Sequence, residues 1–240
     1  MYVCPIVLKH LTKSFARKAE FGSVGLRRKR REVLKDVSLS VGKGEIACVL
    51  GKNGSGKTTL IRILSTLIEP DQGEARICGF DAVAEGPEVR LKVGVMLNAG
   101  DGGFHPRLSG FGNLEYYATL YRIRLNQART RIRDLLADLQ LQERGSDQYQ
   151  SYSSGMRRRL ALARAMIPDT PVLLLDEPTL GVDPWSTESI HQYLIALSRL
   201  GKTILCTTNS IAEAHALGNN AHVLEEGKLS LMGRPEVDAC

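Results

Sequence analysis

Near the start of the chain, residues 6–11 and 33–41 alternate apolar and polar positions, the period of strands with one buried face. Residues 17–31 between them are basic and contain Gly22 and Gly25, which predicts an exposed hairpin or loop. Residues 45–50 (EIACVL) are a short apolar run ending at a glycine, as in a strand covered on both faces of a parallel sheet. Over 58–68, Leu60, Ile63, Leu64, Leu67 and Ile68 recur at helical spacing, and Glu69-Pro70-Asp71-Gln72-Gly73 then turns the chain. Further strands are predicted over 74–80 and 92–97, and the Gly- and Asp-rich residues 98–107 read as a loop.

From 107 to 167 the pattern is almost all helical, with helices over 113–121 and 128–141 and no clear strand. A second buried strand follows at 171–175 (PVLLL), then a helix over 187–200 with Gly201 at its natural stop. A strand at 203–207, a short helix at 211–217 and a last strand at 221–224 complete the pattern. Strands alternating with helices predict an α/β sheet with a helical block inserted between its parts. No internal repeat or low-complexity segment is visible.

Composition changes this picture little. The 240 residues are 43% hydrophobic and 24% charged, enough for a packed core. The net charge of +6 fits phosphate-bearing ligands, nucleic acid or an anionic surface. Two basic runs, 27–31 and 157–159, are read as solvated faces in the absence of a partner. Cys4, Cys48, Cys78, Cys206 and Cys240 lack zinc-site spacing, and Cys48 and Cys206 read as small buried hydrophobes. The odd count without a framework suggests a reducing compartment. The N-terminus does not read as a signal peptide, and no apolar run approaches the roughly 18 residues of a membrane span.

Candidate chemistry sharpens it. Gly51-Lys52-Asn53-Gly54-Ser55-Gly56-Lys57-Thr58-Thr59 fits G-x-x-x-x-G-K-[ST] between a buried strand and an amphipathic helix. Gly51, Gly54 and Gly56 let backbone N–H groups approach a phosphate chain, and the following helix adds its positive end. Lys57 is placed to reach the terminal phosphates and Thr58 to ligate magnesium. The run 172–175 then delivers Asp176 and Glu177 at a strand tip, where ligands bind in open α/β sheets. Asp176 is the second candidate magnesium ligand and Glu177 the candidate general base for an attacking water.

These residues resemble the ATP-binding cassette (ABC) family, the ATPase subunits of ABC transporters, over nearly the whole chain. Ser153-Ser154-Gly155-Met156 followed by Arg157-Arg158-Arg159-Leu160 looks like the family's signature sequence at the head of a helix reaching about Ile167. The resemblance implies a single ABC ATPase domain with a P-loop NTPase core and mainly parallel sheet (1–97 and 168–240). It also implies an N-terminal antiparallel β subdomain and a helical signature subdomain over 98–167. ATP and magnesium are the implied cofactors. The implied partner is a second such subunit, identical or not, whose Ser153 and Gly155 close the nucleotide against this P-loop. Phe15 stands where the family stacks an aromatic on adenine. Gly181-Val182-Asp183 resembles the loop that crosses the dimer interface, and Trp185 is a candidate interface anchor.

Two positions depart from the family pattern. Asn98 stands where a Gln usually touches magnesium, keeping a carboxamide on a shorter side chain. Asn209 stands where a His usually contacts the terminal phosphate. Asn donates a hydrogen bond but cannot be protonated, which predicts slow or partner-dependent hydrolysis. The pattern around 106–114 and 152–158 looks most like exporter subunits whose integral membrane permease is a separate chain. That implies a cytoplasmic protein peripheral to the membrane's inner face, with no specific nucleic-acid partner. A soluble family member acting on nucleic acid or ribosomes is the alternative, and such chains usually carry two cassettes or a long coiled coil. A regulatory subunit that binds ATP and hydrolyses little is a third, kept open by Asn209.

Overall fold

The structure is a computed structural model that describes residues 4–16, 30–98, 103–217 and 220–232. Most of the basic stretch 17–31, part of the loop 98–107 and Cys240 lie outside the described residues.

β1 (Ile6–Ala16) and β2 (Arg30–Val41) pair antiparallel, and β1 also pairs antiparallel with β4 (Gln72–Ile77). With β5 (Phe80–Asp81) they form a four-stranded sheet in the order β2-β1-β4-β5. The second sheet has the order β10-β9-β3-β8-β7-β6. It comprises β3 (Ile46–Leu50), β6 (Val93–Met96), β7 (Val172–Asp176), β8 (Thr203–Thr208), β9 (Asn220–Glu225) and β10 (Lys228–Leu231). All its pairs are parallel except β9 with β10. β3, β7 and β8 are buried at every residue, which is why they read as continuous apolar runs. Cys48 and Cys206 sit opposite each other on β3 and β8; the Cys48 contact and burial push the Cys206 thiol well above its ordinary value.

The helices are α1 (Lys57–Leu64), α2 (Gly86–Arg90), α3 (Gly110–Leu120), α4 (Leu125–Asp138), α5 (Ser154–Met166), α6 (Pro184–Arg199) and α7 (Ile211–Leu217). Helices α3 to α5 pack around Leu114, Ile132, Leu136 and Leu160 as one block, in line with the expected insertion. Among the described residues no helix is long and apolar enough to cross a membrane.

Several expectations need correction. α1 ends at Leu64, not Ile68: Thr66 turns left-handed at φ 62°, and the Thr66 and Leu67 N–H groups donate back to Ile63 and Arg62 carbonyls. The strand expected over 74–80 is broken by a two-residue turn at Cys78-Gly79, both with positive φ, which starts β5. Glu226-Gly227 repeats that turn, so β9 is not the last strand and β10 follows. The run 157–159 is not a solvated face. Arg157 donates to Tyr152 and Gln150 carbonyls, Arg158 to Leu180 O and Asn98 Oδ1, and Arg159 to Leu139 and Gln140 carbonyls just past α4.

The two sheets meet beside the loop after β3. Lys35 N–H on β2 donates to Gly227 O (2.7 Å) in the β9–β10 turn.

Candidate functional site

The parallel strands bring their C-terminal ends to one edge, and the polar candidates gather there. From Leu50 the chain loops through residues 51–56 into α1. Gly51 N–H donates to Thr208 O (3.1 Å), tying the loop to the end of β8. Gly56 has φ 117°, and a Cβ there would stand 2.8 Å from Val33 O, so only glycine lets β2 pack this closely. Lys57 is 4% exposed. Its ammonium donates to Gly51 O (2.7 Å) and Lys52 O (3.2 Å) and lies 3.3 Å from Glu177 Oε1. Ser55 Oγ is buried without a hydrogen-bond partner among the described residues. A helix N-terminus, a buried ammonium and an unsatisfied hydroxyl together suit a phosphate chain.

Asp176 and Glu177 stand at the tip of β7. Asp176 accepts from Thr58 Oγ1 (2.8 Å) on one oxygen and from Thr207 Oγ1 (2.6 Å) on the other. A carboxylate and a hydroxyl meeting at one point are the hard oxygen donors magnesium takes. Glu177 adopts φ 50°, uncommon for a non-glycine residue, and its N–H donates to Thr207 O (3.0 Å) and Thr207 Oγ1 (3.2 Å). That turn presents its carboxylate to Lys57 and to Asn98 Nδ2 (2.9 Å). Asn98 Oδ1 accepts from Arg158 (2.7 Å), so donors and acceptors on both sides fix the carboxamide's orientation. Burial pushes the Arg158 guanidinium below its ordinary value, against the opposing charges of Glu177 and Asp176.

Lys57, Thr58, Asp176, Glu177 and Asn98 thus form one hydrogen-bonded group. Asn98 reaches it through the amide nitrogen and the backbone, with its oxygen committed to Arg158. A cleft of about 1280 Å³ opens from the loop along β2, with Ser14, Arg31, Lys35, Asn53, Ser55 and Asn209 among its walls. Arg31 reaches Gly54 O (3.4 Å) across its rim. Thr59 is half-buried on α1. Ser14 lines the cleft and Phe15 does not; the Phe15 ring is 41% exposed, with Lys13 Nζ 5.5 Å from its centre.

Ser153 and Gly155 lie outside that cleft. Ser153 is exposed and caps α5, accepting from Met156 N–H (3.2 Å). Ser154 Oγ donates to Gly181 O (3.0 Å), and buried Gly155 abuts Val182 and Asp183. The helix head is therefore fastened to loop 181–183 while Ser153 faces solvent. Trp185, on the first turn of α6, is 86% exposed. Sequence reasoning missed Arg158 and Thr207 as site residues. Their signals were a basic run beside the signature-like sequence and a strand-end hydroxyl, neither of which names a partner.

A family model described as ABC transporter matches residues 34–180. The ABC transporter ATP-binding protein NatA of Bacillus subtilis is 35% identical over 205 residues, covering 85% of this chain and 83% of that protein. The daunorubicin resistance ATP-binding protein DrrA3 of Streptomyces coeruleorubidus is 37% identical over 85% of this chain and 64% of its own length. The Nod factor export ATP-binding protein I of Cupriavidus metallidurans is 36% identical over 85% of this chain and 66% of its own length. The chain thus spans just under two thirds of those last two proteins. A solved dimeric bacterial ABC transporter cassette, MJ0796, superposes with a TM-score of 0.81 at 27% identity, covering 94% of this chain and 96% of that one. The same cassette in a post-hydrolysis state bound to ADP and phosphate gives 0.80 at 25% identity, covering 95% and 99%.

Proposed function

The chain belongs to the ABC transporter family, and on that footing we propose that it is the ATP-hydrolysing subunit of an exporter, driving a separate membrane permease by ATP-dependent pairing with a second subunit. The observation that carries this is the group around Lys57, in which one buried ammonium holds both the loop carbonyls and the candidate base. Terminal phosphates draw Lys57 away from Glu177, and Glu177 Oε1 becomes free to accept the proton of the attacking water. Thr58 and Asp176 would hold magnesium, which neutralises charge on the phosphate oxygens. Asn209 borders the same cleft and donates one hydrogen bond to the terminal phosphate.

The exposed head of α5, with Ser153 at its N-cap, binds the phosphates of ATP held on the partner's loop. Loop 181–183, fastened to that head, joins the same interface, and Trp185 beside it is an anchor. The permease docks on the helical block and the segment joining it to Asn98, on the inner face of the membrane. A drug or a molecule akin to a Nod factor is the cargo that two relatives' printed names support, daunorubicin resistance in one and Nod factor export in the other.

Phosphate release by the purified chain tests the site. Glu177→Gln should lower turnover by roughly 10² or more while ATP still binds, the scale expected when general-base catalysis is removed. Equal turnover in the variant overturns the assignment. Affinity capture from membranes should recover an integral membrane protein; recovery of none overturns the transporter role.

A further inference from the structure

Behind the site lies a buried carboxylate that the mechanism does not use. Glu213, on α7, is 6% exposed. Its Oε1 accepts from Thr179 Oγ1 (2.6 Å) and lies 3.3 Å from His191 Nε2 on α6. Its Oε2 accepts from Thr208 Oγ1 (2.5 Å). Thr208 Oγ1 in turn accepts from Ser210 N–H (3.0 Å), and Ser210 Oγ accepts from Glu213 N–H (3.3 Å). Thr179 is two residues beyond Glu177, and Thr208 and Ser210 flank Asn209. The Glu213 carboxylate therefore bridges the segment after the candidate base to Thr208 on one side of Asn209, while its backbone N–H holds Ser210 on the other. Glu177, Asn209, Thr179, His191 and Glu213 wall a common cavity of about 440 Å³. Burial raises the Glu213 carboxyl, but bonds from His191, Thr179 and Thr208 outweigh it and hold it below its ordinary value.

An apolar residue would fill this place with less desolvation. What a carboxylate adds is two acceptor oxygens that hold hydroxyls on two separate segments at once. We propose that Glu213 is a positioning residue for hydrolysis, setting Asn209 relative to Glu177 through Thr208 and Thr179. This rests on the functional reading above, in which Glu177 and Asn209 act on ATP.

Steady-state ATP hydrolysis by the purified full chain tests it, with melting measured for every variant. Glu213→Gln should lower kcat on the order of ten- to a hundredfold, the cost of a small misplacement, with KM for ATP changed less than about twofold. Thr208→Val should lose a similar amount and Thr208→Ser should keep wild-type kcat, so the hydroxyl pair decides the matter if Glu213→Gln does not fold. Combined with Asn209→Ala, Glu213→Gln should cost nothing further, because both remove one function. If Asn209→Ala lowers kcat but Glu213→Gln and Thr208→Val do not, or if their losses add to it, the positioning role is overturned and the functional reading stands. If Asn209→Ala leaves kcat unchanged, that part of the reading fails and takes the positioning role with it.

Discussion

Asn209 is the proposed site residue that departs furthest in chemistry from the family pattern. It lines the cleft with Asn53 and Ser55, at the end of β8, yet its carboxamide has no titratable proton. A histidine there would add a positive charge beside the terminal phosphate when protonated. Asn209→His should raise kcat severalfold and give the rate a pH limb near 6.5, the ordinary His value, where wild type shows none. A flat profile with unchanged kcat would refute the role given to this position. At this scale the sequence named most of the residues that the fold brings into one hydrogen-bonded group. Lys57, Thr58, Asp176 and Glu177 were legible because one short motif and one strand tip carry them. Arg158 and Glu213 were not, because each acts on a residue tens of positions away, Asn98 and Thr179, and only the fold makes them neighbours. Phe15 was placed by analogy with a family position, and the cleft wall carries Ser14 instead.

Elements were legible where burial on both faces or a helical stripe left a long signal, as in β3, β7, β8 and α4. Apart from the short α2, which no pattern announced, the failures were turns. Cys78-Gly79 and Glu226-Gly227 each place a non-glycine residue at positive φ before a glycine, and in each case a strand beyond the turn was missed. Another junction adds charge to a backbone bond, Asp71 N–H to Thr12 O (2.8 Å). Asp71, at the turn into β4, accepts from Ser14 N–H (2.8 Å) and Ser14 Oγ (2.6 Å), from Lys13 (3.0 Å) and from Arg30 (3.1 Å). It thereby clips the ends of β1 and β2 beside the cleft. The Ser14 hydroxyl first, then Lys13, draw its carboxyl from 3.8 to about 2, against the opposing effect of burial. A depressed folded value means the stabilisation is fully present above 3.8 and is lost as pH falls through about 2. Asp71→Asn should therefore melt a few degrees below wild type at neutral pH, and the gap should close between those two values. A gap that persists at pH 2 would mean that the contact acts through shape alone.

For the whole molecule, the difficulty is that the two surfaces proposed to bind phosphate, the loop at Lys57 and the head of α5, stand apart in one chain. The loop at Lys57 opens into the cleft, whereas Ser153 caps α5 outside it, accepting from Met156 N–H. Two copies related by a two-fold axis would use both surfaces twice, each copy giving its loop to one site and its α5 head to the other. That arrangement separates two defects that would be indistinguishable inside a single chain. A chain carrying Lys57→Ala keeps a sound α5 head, and a chain carrying Gly155→Glu keeps a sound loop. Alone, each should be inactive, because both sites of its dimer contain the defect. Mixed in equal amounts and allowed to exchange, about half of the dimers are mixed, and each of these has one site built from the two sound parts. Turnover should then recover to about a quarter of wild type if the sites act independently, and to a smaller but measurable fraction if one site aids the other. Sedimentation with ATP must show that the variants still pair. Pairing without any recovery would mean that each chain completes its own site, and the exposed head of α5 would need another partner.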